Sequence, residues 1–134
     1  MSVELKQTPL HGHHLEAGGK MVDFGGWHLP IQYKVGIKKE HARVRNHAGL
    51  FDVSHMGQIL ISGNGAKELT DRLTTGKVKS LERGDALYTL MCLPTGGIVD
   101  DCIVYKKGEE NYLIIVNAAN DCLLYTSPSP RDRG

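Results

Sequence analysis

Short apolar runs, rich in β-branched residues, dominate the second half of the chain. Two of them, Ala86 to Leu93 and Ile98 to Tyr105, flank the turn sequence Pro94-Thr95-Gly96-Gly97, and this pattern predicts a β-hairpin. Gln58 to Ser62 predicts another strand, and Tyr112 to Val116 predicts a buried one. The second half therefore predicts a sheet of mainly antiparallel strands.

The first half mixes helical and strand patterns. Lys20 to Phe24 predicts a short strand, and the loosely spaced apolar residues from Val35 to Ala48 predict an exposed amphipathic helix with Gly49 as its C-cap. Leu50 to Ser54 predicts a further strand, and a second helix is expected to run from an Asn64 N-cap to Leu73. Together these elements predict an α+β fold with a largely antiparallel sheet, hairpins and two helices.

Length and composition fit one ordinary globular domain. The chain has 134 residues, 40% hydrophobic and 23% charged, with a net charge of +1, which favours neither nucleic acid nor a membrane surface as a partner. The start of the sequence shows neither a secretion nor an import segment, so a bacterial cytosol is expected, or a mitochondrial matrix if the source is eukaryotic. Cys92, Cys102 and Cys122 lack metal-type spacing and are expected to be reduced, buried thiols.

The second strand of the hairpin carries two adjacent aspartates. Neighbouring strand residues face opposite sides, so Asp101 shares a face with Ile103 and Tyr105, while Asp100 shares the other with Cys102. At least one carboxylate should therefore meet an apolar surface, which is costly unless it is paired or hydrogen-bonded. Such a residue is a site candidate, although both could instead lie at a frayed strand start, where one of them accepts hydrogen bonds from turn amides.

Other polar residues admit simpler interpretations. The N-terminal histidines His11, His13 and His14 are interpreted as surface residues, since nothing downstream completes a metal ligand set. Trp27 is interpreted as a packing anchor. Met56 fits core packing as well as a ligand contact. Asn117, at the end of a buried strand, could meet a ligand or cap a following helix.

Composition changes abruptly from Cys122 onward. The remaining residues are rich in Ser, Pro and Arg and, back-translated, resemble a sequencing adaptor read in frame. We therefore interpret residues 1–121 as a partial domain and 122–134 as an adaptor-derived, non-native tail, with a genuine flexible terminus as the alternative. The protein is accordingly expected to be truncated.

Five motifs, in order, carry a family resemblance. They are Lys20-Met21-Val22-Asp23-Phe24-Gly25-Gly26-Trp27, Ala48-Gly49-Leu50-Phe51-Asp52-Val53-Ser54-His55-Met56-Gly57, Gly96-Gly97-Ile98-Val99-Asp100-Asp101 and Val116-Asn117-Ala118-Ala119-Asn120, preceded by Thr8-Pro9-Leu10 with His14. From Gln7 to Asn120 the chain resembles the N-terminal part of the T-protein family of the glycine cleavage system, the tetrahydrofolate-dependent aminomethyltransferases. The resemblance implies part of the first folate-binding domain of a three-domain enzyme.

The resemblance also implies a reaction and its residues. Such enzymes take an aminomethyl group from a lipoylated carrier, the H protein, release ammonia and pass the one-carbon unit to tetrahydrofolate. Asp101 matches the family's catalytic aspartate near folate N10, while Asp100 would hold the turn. Met56, Tyr88 and Asn117 would contact the folate. Tyr105 joins them as a looser candidate because it shares a face with Asp101.

Three alternatives stay open at this point. The domain could belong to a folate-dependent demethylating enzyme of the sarcosine or dimethylglycine type, or to a non-catalytic folate-binding relative. It could also be a folded fragment without activity. The resemblance implies that residues after Asn120 complete the folate pocket, so the chain alone is expected to be inactive and to expose apolar surface.

Overall fold

The computed structural model of the chain describes residues 4–119, which fall into two compact units, residues 4–55 and 56–119. The interpretation of residues 122–134 as an adaptor-derived tail concerns residues outside those described. Among residues 4–119, none of the helices is long and apolar enough to cross a bilayer.

The first unit is built around a β-hairpin with two helices. A tight turn with Gly25 and Gly26 at positive φ joins its two strands, a backbone conformation that glycine adopts without a steric penalty. In chain order the elements are α1 (His11–Glu16), β1 (Lys20–Phe24), β2 (Trp27–Gln32) and α2 (Ile37–Asn46). The strand predicted at Lys20 to Phe24 is confirmed.

Three predictions for the first unit are wrong. Helix α1 is a third helix that the sequence pattern did not indicate. Leu50 to Ser54 is not a strand, because the Asp52 carboxylate accepts a hydrogen bond from the Ser54 N–H at 3.0 Å, and such local side-chain bonds compete with strand pairing. Helix α2 ends at Asn46, so Gly49 is not its C-cap. Glycine suits position 49 for another reason, because a Cβ on Gly49 would lie 2.7 Å from Val44 Cγ2.

The second unit is a four-stranded antiparallel sheet in the order β3-β6-β5-β4. The predicted hairpin and the two predicted strands are confirmed, and the α+β class with them. The elements are β3 (Gly57–Ser62), α3 (Ala66–Leu73), a 3₁₀ turn (Val78–Ser80), β4 (Ala86–Cys92), β5 (Ile98–Gly108) and β6 (Asn111–Val116). The N-cap of α3 is Gly65 in the left-handed conformation and makes no side-chain cap bond, so the Asn64 cap prediction is wrong.

The core of the second unit lies on one face of this sheet. Alternate residues of β6 and β5 are buried there against α3 and the 3₁₀ turn, as the period of two in strands requires. The core side chains are Ala66, Val78, Met91, Cys102, Val104, Tyr112, Ile114 and Val116. The opposite face, which we call the open face, carries half-buried or exposed side chains, among them Leu60, Tyr88, Leu90, Asp101, Ile103, Tyr105, Leu113 and Ile115.

Candidate functional site

Asp101 lies near one end of the open face, where β5 pairs with Leu90 of β4. Both of its carboxylate oxygens accept hydrogen bonds. The hydroxyl of Tyr88 donates to Oδ2 at 2.8 Å, and the side-chain amide of Asn117 donates to Oδ1 at 3.0 Å. A half-buried carboxylate held from both sides in this way has a fixed direction in which it can meet a ligand.

Tyr88 reaches Asp101 diagonally across the hairpin. Its direct partner is Ile103, two residues further along β5, and diagonal neighbours on one sheet face lie within reach of long side chains. The hydrogen bond to Asp101, together with that residue's charge, raises the pKa of Tyr88 above its ordinary value of 10.0. Tyr88 is 68% exposed, so its ring is open to a ligand.

Strand register brings Asn117 and Met56 to the same end of the sheet. Cys102 pairs with Val116, and Val116 pairs with Gly57 on its other side. Asn117 follows Val116, and its amide bonds to Asp101; Met56 precedes Gly57, the first residue of β3. Asn117 and Met56 therefore both flank the pair Gly57–Val116, at the same end of the sheet as Asp101.

Tyr105 is not part of this group. It lies on the face of Asp101 but four residues further along β5, a separation of about 14 Å at the usual rise of a strand. Its cross-strand partners are Ala86 and Leu113. The structure therefore brings four of the five predicted site residues to one end of the sheet and leaves Tyr105 apart from them.

Asp100 differs from its prediction as a turn-holding residue. Its side chain faces the core and is 5% exposed, and the described bonds of its carboxylate go to Asn117: Oδ2 accepts from the backbone N–H at 3.0 Å and Oδ1 from the side-chain amide at 2.8 Å. The turn itself is closed by backbone hydrogen bonds: the Leu93 N–H donates to the Gly97 carbonyl at 2.8 Å, and the Gly96 N–H donates to the Leu93 carbonyl at 2.9 Å. Asp100 is thus the buried carboxylate that the strand pattern required.

The core beneath the site is apolar and contains one buried thiol. Burial raises the pKa of Cys102 to about 11, and the charges of Asp100 and Asp101 act in the same direction. Cys92 is only half-buried, and it pairs with Ile98 whereas Cys102 pairs with Thr89. The two thiols therefore do not face each other across the hairpin.

The chemistry available at this site is that of one oriented carboxylate. Asp101 can accept a proton or hydrogen bond from an amine and can stabilise positive charge that develops beside it. Residues 4–119 contain no group of three or more His, Cys, Asp or Glu side chains suited to a metal ion. The site is thus suited to positioning and electrostatic stabilisation.

A second polar cluster lies in residues 4–55, where surface histidines were predicted. His14 is buried, and its Nε2 donates to Oδ2 of Asp52 at 2.8 Å, while Thr8 donates to the same oxygen at 2.6 Å. Burial opposes ionisation of Asp52, but hydrogen bonds from Thr8, His14 and Ser54 outweigh it and hold the pKa of Asp52 well below its usual range. The surface interpretation is therefore wrong for His14.

This cluster borders a cleft of about 530 Å³. None of the predicted site residues lines the cleft, whose walls are mainly apolar. Leu50, one of the residues that line the cleft, is fully exposed. Apolar lining residues include Phe24, Leu29, Val44, Leu50, Phe51 and Val53.

Known proteins match most of this chain. It is 54% identical over 116 residues to an aminomethyltransferase of Bacillus subtilis, and 56% identical over 117 residues to one of Desulforamulus reducens. In both cases the match covers 87% of this chain and 32% of the relative, so the chain spans about a third of the length of these curated relatives.

A solved structure is also similar to most of this chain. The glycine cleavage system aminomethyltransferase T from Bartonella henselae superposes with a TM-score of 0.85 at 36% identity, over 90% of this chain and 34% of that one. The profile of the GCVT N-terminal domain matches residues 10–126. With a match over most of its length, the chain belongs to the GCVT N-terminal domain family.

Proposed function

We propose that the full-length protein is the tetrahydrofolate-dependent aminomethyltransferase of the glycine cleavage system. Membership of the GCVT N-terminal domain family and the aminomethyltransferase relatives support this proposal. The observation that carries it is the Asp101 carboxylate, held from both sides on a largely apolar sheet face. The chain spans about a third of its relatives, so the activity is assigned to the longer protein.

The proposed reaction transfers one carbon between two carriers. The donor is an aminomethyl group on a sulfur of the lipoyl arm of the H protein, and the acceptor is tetrahydrofolate with N–H groups at N5 and N10. The C–N bond to ammonia and the C–S bond to the lipoyl arm break, and two C–N bonds to the folate form. The two folate protons leave with the ammonia and the dihydrolipoyl thiol, so the products are 5,10-methylenetetrahydrofolate, ammonia and the reduced arm.

Asp101 acts in this proposal by orientation and charge. A carboxylate beside the N10 amine orients the nucleophile, can take up its proton and stabilises the iminium-like charge that develops as the carbon is transferred. No covalent adduct with the enzyme is required.

The remaining predicted residues are assigned to folate binding. Tyr88 presents an exposed aromatic ring beside Asp101, and Met56 directly precedes β3 at the same end of the sheet, so both suit the flat pterin and benzoyl rings. Asn117 has its amide nitrogen engaged within the protein and offers its carbonyl oxygen to the ligand. Tyr105 is retained as a contact for a more distant part of the folate.

Substitution of Asp101 by Asn in the full-length protein tests the proposal. We expect kcat for aminomethyl transfer to fall by about 100-fold or more, which is the range of a lost proton-transfer or charge-stabilising group. Asp85→Asn is the matched control, since Asp85 lies in the same unit and accepts only a loop N–H. Full activity of Asp101→Asn would contradict the proposed role. Assays with sarcosine or dimethylglycine as donor separate the demethylating enzymes from this proposal.

The 134-residue chain alone is expected to be inactive. It spans about a third of its relatives and leaves large apolar side chains such as Leu50 and Phe51 exposed. Purified chain, H protein and tetrahydrofolate should therefore give no 5,10-methylenetetrahydrofolate. Turnover by the purified chain would overturn this expectation.

A further inference from the structure

The Asp100 side chain is fixed more firmly than that of Asp101. It is 5% exposed, lies on the core face of β5, and both of its carboxylate oxygens accept hydrogen bonds from Asn117. Moving a buried carboxylate away from its donors would leave it unpaired in an apolar environment, which is strongly unfavourable. Asp100 therefore ties the end of β6 to β5 just beyond their last pair, Cys102 with Val116.

The Asn117 amide joins this anchor to the site. Its nitrogen lies 2.8 Å from Asp100 Oδ1, 3.0 Å from Asp101 Oδ1 and 3.2 Å from the Asp101 carbonyl oxygen. The amide group has two N–H donors, and only the nitrogen can face three oxygen acceptors. One side chain thus bridges two carboxylates that lie on opposite faces of the sheet.

We propose that Asp100 is a positioning residue, which orients the catalytic carboxylate of Asp101 through the Asn117 bridge. The inference rests on the proposed function, since it assigns a task to Asp100 only if Asp101 acts on the substrate. Tyr88 holds the other oxygen of Asp101 but is largely exposed, so the bridge from Asn117 is the rigid side of the arrangement. Asp100 itself is buried on the core face of β5, opposite the open face that carries Asp101.

Positioning and simple structural support predict different kinetics. If Asp100 orients Asp101, Asp100→Asn weakens the bridge and misplaces the carboxylate, and a shift of about 1 Å can cost up to about 100-fold in rate. We expect kcat to fall about 10-fold to 100-fold while KM for tetrahydrofolate stays within about threefold. A residue that only supports the fold would lower stability and leave kcat per folded molecule unchanged.

A double-mutant cycle in the full-length protein tests the coupling. The four forms are the unsubstituted protein, Asp100→Asn, Asp101→Asn and the double variant, each with kcat, KM and the folded fraction measured. Because Asp100 acts only through Asp101, Asp100→Asn should change kcat by less than about twofold in the Asp101→Asn background. An equal loss of kcat in both backgrounds would overturn the proposal. So would an unchanged kcat in Asp100→Asn.

One further variant keeps the test decisive. If Asp100→Asn does not fold, Asn117→Ser removes the side-chain bridge together with the proposed folate contact and keeps the backbone N–H bond to Asp100. Loss of the folate contact raises KM, whereas loss of the bridge lowers kcat, so an unchanged kcat in that variant overturns the proposal. If Asp101→Asn has no detectable turnover, the cycle is measured with Asn117→Ser as the background, since Asp100 acts through that bridge, and an equal loss of kcat in both backgrounds again overturns the proposal. A fully active Asp101→Asn overturns the proposed role of Asp101 itself, whereas additive losses overturn only the positioning by Asp100.

Discussion

The phenolic oxygen of Tyr88 lies 2.8 Å from Oδ2 of Asp101, although the direct cross-strand partner of Tyr88 is Ile103. This diagonal contact gives Tyr88 a second role besides stacking, because its hydroxyl fixes one oxygen of the Asp101 carboxylate. Asn117 fixes the other oxygen. The direction in which Asp101 meets a substrate therefore depends on two side chains from the neighbouring strand and the adjoining loop.

Tyr88→Phe in the full-length protein should lower kcat for aminomethyl transfer by about threefold to tenfold. The change removes one hydrogen bond to a charged acceptor, and the exposure of Tyr88 limits its strength. Tyr112→Phe is a matched control, since its hydroxyl is buried and has no hydrogen-bond partner among the described residues. The control should keep full activity. Equal kcat values for Tyr88→Phe and the unsubstituted protein would show that the contact does not orient Asp101.

Local pattern was sufficient to predict the strands of the second unit and the face of Asp101. The alternation of apolar residues fixes which side chains of β5 and β6 point together, and Gly96 at φ 88 gives the turn between β4 and β5. The register does not follow from the turns alone, because it shifts between Met91 and Cys92 in one hairpin and between Lys106 and Gly108 in the other. The pairing that brings Asn117 to Asp101 is therefore visible only in the structure.

The roles of Asp100 and His14 could not be predicted in this way. Their partners, Asn117 and Asp52, are 17 and 38 residues away along the chain, and no periodicity records such pairs. One signal was available for Asp52, which is an acidic residue between the apolar residues Phe51 and Val53, the same feature that drew attention to the pair in β5. Helix α1 was not predicted because its six residues lack both an apolar stripe and a side-chain cap.

Asp52→Asn should lower the free energy of unfolding of residues 4–55 by about 3 kcal/mol at pH 7. The Asp52 side chain is 4% exposed, and breaking a buried pair leaves its partner uncompensated. Trp27 is the only tryptophan and lies in this unit, so its fluorescence during urea unfolding of the 134-residue chain reports the change. Asp23→Asn, an exposed aspartate that accepts the Gly26 N–H, is the control and should cost less than about 1 kcal/mol.

A fall in pH should remove the stabilisation that the Asp52 carboxylate gives to residues 4–55. The pKa of Asp52 is lower in the folded state than its ordinary value of 3.8, so the ionised form stabilises the fold fully above about pH 5 and progressively less as the pH falls below about 4. The difference in unfolding free energy between the unsubstituted chain and Asp52→Asn should therefore narrow between pH 5 and pH 2. A difference that stays constant over this range would show that the ionised Asp52 carboxylate does not stabilise the fold.

Gly19→Ala should destabilise the first unit, and Gly12→Ala should not. A Cβ at Gly19 would lie 2.9 Å from the His14 carbonyl oxygen and 3.0 Å from Pro30 Cβ, and backbone atoms cannot move aside easily, so we expect a loss of about 2 kcal/mol. A Cβ at Gly12, within α1, meets nothing within 4 Å. Alanine at position 12 should therefore raise the free energy of unfolding of this unit by about 0.5 kcal/mol, because alanine favours helix more than glycine does. Tryptophan fluorescence in urea measures both, and equal effects would argue against this packing of α1 on β2.

Cys102 should react slowly with alkylating agents in the folded chain. Burial raises its pKa to about 11, so at pH 8 only about one thiol in a thousand is ionised, and only the thiolate is the nucleophile. Iodoacetamide treatment at pH 8, followed by mass spectrometry of peptides, should show Cys92 modified well before Cys102, because Cys92 is only half-buried. In urea the two should react at similar rates. Alkylation of Cys102 in the folded chain as fast as Cys92 would mean that the core beneath Asp101 opens readily, and a carboxylate anchored on such a core could not be held in one orientation.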